Sequence, residues 1–147
     1  MDAPVDDRTD PYRLQRFIDA QQTVFEQALT ELRAGRKRSH WMWFVFPQIE
    51  GLGHSAMAQH YALSSLDEAR AYARHPVLGQ RLRACTQAVV AVEGRSVEDI
   101  FGYPDHLKFH SSMTLFAATH EDPVFQRALD TYFKGAGDRL TLDRLAQ

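Results

Sequence analysis

The sequence predicts an all-α fold: one compact, multihelical domain of about seven or eight helices. Three observations carry that expectation. Apolar residues recur at spacings of three and four along most of the chain, the repeat that gives a helix one buried face. Helix-start signals stand ahead of these stretches, with Asp10 before Pro11, Asp122 before Pro123, and Ser55, Ser65 and Ser96 in capping positions. No alternating polar and apolar run is long enough to build a sheet.

A chain of 147 residues with 44% hydrophobic and 24% charged side chains suits one folded domain with its own core. Residues 1–10 read as a frayed tail and 11–147 as the domain. Asp10 and Pro11 open a helical pattern through Leu14, Phe17 and Ile18, which resumes at Val24, Phe25, Ala28, Leu29 and Leu32 and ends at Gly35. A polar break near 19–22 splits it into two helices. Next comes RKRSHWMWFVFPQIEGLG, starting at Arg36, in which residues 41–46 are the one place where a short extended segment competes with helix. Gly51 and Gly53 mark a loop.

Ser55 caps a helix through Met57 and Tyr61. Ser65 caps another, with Glu68 in capping-box register, and that helix stops by His75 because a residue before proline is driven out of helical geometry. Pro76 opens a longer helix whose buried face is Leu78, Leu82, Cys85, Val89 and Val92, closed by Gly94. Ser96 caps a short turn through Ile100, ended by Gly102. Residues 105–118 and 123–134 have helical length, the second with a stripe of Phe125, Leu129, Tyr132 and Phe133.

Composition excludes several functions. Lys and Arg number 17 against 19 Asp and Glu, a net charge of -2, so the footprint of a general nucleic-acid binder is missing. The longest apolar run, 41–47, falls far short of the ~20 residues of a membrane span. Cys85 is the sole cysteine, so no intrachain disulfide forms. The opening MDAPVDDRTD lacks the basic and apolar regions of a signal peptide, and a reducing cytoplasm is the expected location. Neither a phosphate loop nor a G-x-S-x-G elbow is present, and no cofactor is expected.

Two segments offer chemistry. Trp41 and Trp43 present flat faces to a base or cation, Gln48 adds an amide, Ser39 and His40 add polar groups, and Arg36, Lys37 or, from the second segment, Lys108 could meet a negative charge. The same rings could equally be core. In the second segment, Asp105, Lys108 and Ser112 fall within about 60° of arc on one helix. Lys108 could activate Ser112 as a nucleophile, with Asp105 as general acid or base; the alternative is an Asp–Lys pair beside a serine bonded to its own helix. His106 and His110 have the spacing of a metal pair, but no intervening glutamate accompanies them, and no metal is expected. Cys85, on an apolar face, reads as packing rather than as a nucleophile.

The blocks RAGRKRSHWMWFVFPQIEGLG, HPVLGQRL and IFGYPDHLKFHSSMTLF, in that order, resemble the domain-of-unknown-function family number eighteen-ten, from about Tyr12 to Phe133. Some bacterial members carry the label calpastatin, an inhibitor that is a disordered repeat protein, whereas this composition is that of a folded chain. The resemblance implies a mostly helical fold and brings no reaction with it. A shorter stretch, QHYALSSLDEAR from Gln59 to Arg70, is similar to a motif of the NADAR family, helical N-glycosidases acting on ADP-ribose derivatives. His60, Tyr61, Glu68, Ala69 and Arg70 match it, and Tyr61 thereby joins the expected ligand contacts. Gln59 stands where that family has a glutamate, so the proton donor of that site is missing here.

Two functions follow as expectations. In the first, a small anionic or nucleotide-like ligand binds in a pocket between residues 41–48 and the helix of 105–112, and if the site is catalytic it hydrolyses a glycosidic or phosphoester bond through Asp105. In the second, exposed aromatics dock a protein partner without catalysis. The ADP-ribose N-glycosidase implied by the NADAR similarity is a third.

Overall fold

The computed structural model describes residues 9–147. The frayed tail expected over 1–10 therefore lies almost wholly outside the described residues. Asp10 does act as a cap, accepting from the N–H groups of Leu14 and Gln15 at 2.8 and 3.0 Å. Arg13 interrupts the turn at φ 56, so helix α1 (Gln15–Gln21) starts later than Pro11 suggests. The polar break separates it from α2 (Phe25–Arg33), and Gly35, at φ 75, ends that helix.

Residues 41–46 form no strand. They coil into α3 (Met42–Val45), whose flanking residues bond Val45 N–H to Trp41 C=O and Phe46 N–H to Met42 C=O. A lone extended segment would leave half of its backbone groups unpaired inside the core, whereas a helical turn satisfies them locally. The amide of Gln21 also donates to Phe44 C=O at 2.6 Å and to the Tyr72 hydroxyl at 2.9 Å, stitching the turn to α1. The extended backbone comes just after it, as an isolated parallel bridge between Ile49 and Leu63.

The serine caps behave as their spacing predicts. Ser55 accepts from Ala58 N–H at the start of α4 (Ala56–His60), and Ser65 accepts from Glu68 N–H at the start of α5 (Leu66–Arg74). The reciprocal half of the second box is displaced by one residue: the Glu68 carboxylate takes the N–H and hydroxyl of Ser64, and pairs with Arg16 at 3.1 Å. Helix α6 (Leu78–Val90) is capped by the His75 ring, whose Nδ1 accepts from Val77 and Leu78 N–H. Gly79 lets α5 and α6 approach closely, since a Cβ there would stand 2.1 Å from Ala73 O.

The reciprocal capping box is complete at Ser96 and Asp99, which open α7 (Val97–Phe101). Helices α8 (Asp105–Ala117) and α9 (Pro123–Phe133) follow, the second capped by Asp122 as expected. One further helix, α10 (Arg139–Leu145), is set by Asp138, which caps Thr141 N–H. Ten helices are thus present among the described residues, more than the seven or eight expected, the additions being the single turn of α3 and the seven-residue α10.

Helix α8 is the axis of the domain. Phe109 and every residue from Ser111 to Phe116 are buried, and α5, α7, α9 and α10 pack around it. Phe46 sets its ring edge-on to both Phe101 and Phe109, so the turn of α3 is pinned against α7 and α8. That contact brings the two chemistry-bearing segments together.

Candidate functional site

The basic loop after α2 is organised by one carboxylate. Glu31, buried at the end of α2, accepts from the N–H groups of Arg38 and Ser39 at 2.8 and 3.0 Å, from the Ser39 hydroxyl at 2.6 Å and from the Trp41 indole N–H at 3.0 Å. Burial by itself would push this carboxyl up. The hydrogen bonds from the Ser39 hydroxyl, the two backbone N–H groups and the Trp41 indole outweigh that and hold it at about 2.

Held this way, the loop presents Lys37 inward. Its ammonium lies 2.8 Å from Asp105 Oδ2, donates to Ser39 C=O at 2.6 Å and stands 5.0 Å from the Trp41 ring centroid. The Lys37 side chain is only 7% exposed. Asp105 Oδ1 is 3.5 Å from Lys108 Nζ, and Lys108 in turn sits over the Trp43 ring at 5.3 Å. The result is a chain of contacts, Trp41 to Lys37 to Asp105 to Lys108 to Trp43, in which two ammoniums share one carboxylate and an excess positive charge remains at the more exposed Lys108.

Residues 41–48 and α8 therefore do meet, but the space between them is slight. A cleft of about 10 Å³, lined by Met42, Trp43, Phe46, Gln48, Ala58, Tyr61 and Lys108, has room for about one water molecule. The larger concavity lies on the other side of Gln48. It measures about 410 Å³ and is lined by the loop around Gln48, Glu50, Gly51, Gly53 and His54, by Gln59 of α4, and by Arg144 of α10. Gln48 and Ala58 belong to both walls, so the cleft and the depression are neighbours separated by those two side chains.

The expected site residues fall in different surroundings. Trp41 is fully buried with its indole bonded to Glu31, while Lys37 and Ser39 are partly buried, Lys37 paired with Asp105 and the Ser39 hydroxyl bonded to Glu31. His40 is exposed but lines neither cavity. Ser112 is completely buried and its hydroxyl has no hydrogen-bond partner, from Lys108 or any other described residue. Asp105, bridged by two ammoniums, also lines neither cavity. Trp43, Gln48, Tyr61 and Lys108 do come together, around the cleft.

The metal and cysteine candidates separate in space. His106 turns toward Glu98, at 3.9 Å, while His110 stacks on Phe133 and its Nε2 contacts Ala136 C=O at 2.8 Å. Among the described residues no three His, Cys, Asp or Glu side chains are grouped to hold an ion. Cys85 is buried in the core, where desolvation pushes its thiol up to about 12 against the pull of Arg33 and Arg81. Among the described residues no helix is long and apolar enough to cross a membrane.

Two residues escaped the reading of the sequence. Glu31 lies inside an ordinary amphipathic repeat with nothing to mark it. Arg144 is brought to the depression by α10, where its Nε donates to Glu50 C=O at 3.1 Å and its guanidinium lies on the backbone of Gly51. A Cβ on Gly51 would sit 2.6 Å from Arg144 Cζ, and the φ of 95 there also favours glycine. The paired glycines 51 and 53 were the only local hint.

No curated protein matches the chain. The crystal structure of the conserved hypothetical protein Rv1873 from Mycobacterium tuberculosis is similar at 53% identity and a TM-score of 0.91, covering 93% of this chain and 99% of the other. That likeness fits a single helical domain and attaches no activity to it. Residues 11–145 match the family described as "Protein of unknown function (DUF1810)", a span that takes in Glu31, the loop around Gly51 and Arg144 alike. With the shared architecture and the three sequence blocks all inside that span, the chain belongs to the DUF1810 family.

Proposed function

We propose that this protein binds a small organic anion, such as a sugar phosphate or nucleotide, in the depression bordered by residues 48–54, α4 and α10. The observation that carries the reading is Arg144. Its guanidinium is positioned by one hydrogen bond to Glu50 C=O and by the flat surface of Gly51, and it has no carboxylate partner among the described residues. A cation held in place but left unneutralised at the rim of a concavity is suited to a charged ligand, and arginine is suited above all to phosphate or carboxylate, which its planar fork meets through two parallel bonds.

The size, amides and glycines of the lining support this, while the Glu50 carboxylate on the same wall works against it. The volume of about 410 Å³ falls in the range of small-molecule sites. Gln48 and Gln59 supply amides that read ligand hydroxyls, and Gly51 and Gly53 leave the backbone approachable.

The test is a thermal-shift panel of nucleotides, ADP-ribose, sugar phosphates and small carboxylates, followed by titration of whatever binds. A ligand selective for the folded state raises the melting temperature. Arg144→Ala is expected to weaken binding by about tenfold or more, since each tenfold corresponds to roughly 1.4 kcal/mol. A panel that leaves the melting temperature unmoved, or a ligand indifferent to Arg144→Ala, refutes the reading.

A further inference from the structure

We infer that the ligand of this site carries two separated anionic groups, the second received by Lys108 in the cleft behind Gln48. The inference rests on the binding reading above and adds a class to it: bis-anionic small molecules rather than anions in general.

Arg144 has no carboxylate partner among the described residues, and Lys108 shares the single carboxylate of Asp105 with Lys37. Arg144 lines the depression and not the cleft; Lys108 lines the cleft and not the depression. The two spaces meet at Gln48 and Ala58. A ligand that touches both cations must therefore pass that shared wall.

Gln48 is built to let it pass. Its backbone is fixed, with C=O accepting from Leu63 N–H at 2.9 Å, but its side-chain amide makes no hydrogen bond among the described residues. Ala58 is small, and its methyl group packs toward Gly53, where a Cβ would come within 2.6 Å. Rotating the Gln48 amide thus breaks no internal hydrogen bond among the described residues, and a second anion requires that movement, because the cleft at rest holds about one water molecule.

Lys108 has attraction to spare once the wall is open. Asp105 is already committed to Lys37 at 2.8 Å and lies farther from Lys108, at 3.5 Å. Lys37 is spent on Asp105, Ser39 and Trp41, whereas the Lys108 side chain is 27% exposed and rests on the Trp43 face. The Tyr61 hydroxyl, also without a partner among the described residues, lies in the same lining and can donate to the arriving oxygen. Trp43 supports the lysine stem, so the ammonium is positioned before the ligand comes.

The experiment compares fructose monophosphate with fructose bisphosphate as probes, measuring affinity by titration calorimetry for wild type, Lys108→Met, Lys108→Arg, Arg144→Ala and a charge control outside both cavities, Arg38→Ala. Each variant is first shown to melt cooperatively without ligand. The expected result is that Lys108→Met weakens the bisphosphate about tenfold while changing the monophosphate less than about twofold. Lys108→Arg restores the bisphosphate, Arg144→Ala weakens both, and Arg38→Ala changes neither. If Lys108→Met affects both probes alike, or the bisphosphate binds no better than the monophosphate, the second subsite is refuted while an effect of Arg144→Ala on both still upholds the depression. If neither probe binds and no member of the wider panel does, both readings fall together.

Discussion

Trp43 and Lys108 lie on different helices, and the Lys108 ammonium stands 5.3 Å from the centre of the Trp43 ring. That contact closes a sequence of attractions which begins at Glu31 and ties the basic loop, the aromatic turn and the central helix into one unit. The loop therefore serves the site indirectly. Its charges hold Asp105 and Lys108 in place, and the ligand surface we propose lies beyond them.

Removing Asp105 is expected to destabilise the fold by about 2–4 kcal/mol, because it strands the nearly buried Lys37 ammonium without a counter-charge. Urea unfolding of Asp105→Ala checks this. The double variant Lys37→Met with Asp105→Ala is expected to recover part of the loss, which a pair of merely adjacent surface charges would not show.

Glu31 makes stability depend on acid. Folding lowers its pKa from an ordinary 4.5 to about 2, so below neutrality the unfolded chain takes up this proton first. The stabilisation, on the order of 3 kcal/mol, is complete above about pH 5 and is lost as pH falls toward 2. Glu31→Gln, whose amide cannot gain or lose a proton in that range, is expected to lie well below wild type at pH 6 and to converge with it near pH 2, measured as the difference in unfolding free energy across that range.

Gly51→Ala is expected to cost about 1–2 kcal/mol, mainly from the positive φ, with a smaller part from displacing the flexible end of Arg144 from Glu50 C=O. Gly94→Ala is the comparison, since Gly94 also has a positive φ, 74, but open space around it. The excess cost at position 51 is expected to vanish in an Arg144→Ala background. Equal costs at both glycines would remove the contact between Gly51 and Arg144 from the account.

Cys85 is expected to resist thiol reagents while the protein is folded. Burial both hides the sulfur and keeps it protonated, with its pKa near 12, so at pH 8 a chromogenic disulfide should react only as fast as the chain opens. Rapid stoichiometric labelling without denaturant would show the core to be looser than described.

Much of the helical framework could be read in advance because its signals are local. Caps at Ser55, Ser65, Ser96 and Asp122 depend on residues two or three positions away, and the stops at Gly35 and before Pro76 depend on backbone geometry within a single turn. Where a local signal competed with a nearby one it shifted: Arg13 delayed the first helix, and Ser64 took the carboxylate intended for Ser65. The third helix, a single turn of four residues, carried too few for any repeat to emerge.

The site followed another logic. Periodicity tells which residues share a face but not what covers it, so Trp41 and Trp43 looked equivalent until one was found bonded to Glu31 and the other lying beneath Lys108. Ser112 shared an arc with Asp105 and Lys108, yet the packing around the central helix buried it. Arg144 reaches Glu50 from the far end of the chain, a meeting that no spacing encodes. Helices form from interactions along the chain, and their order and ends were therefore written in the residues themselves. A concavity forms where surfaces from distant segments fail to fill the space between them, and that depends on how the finished helices pack.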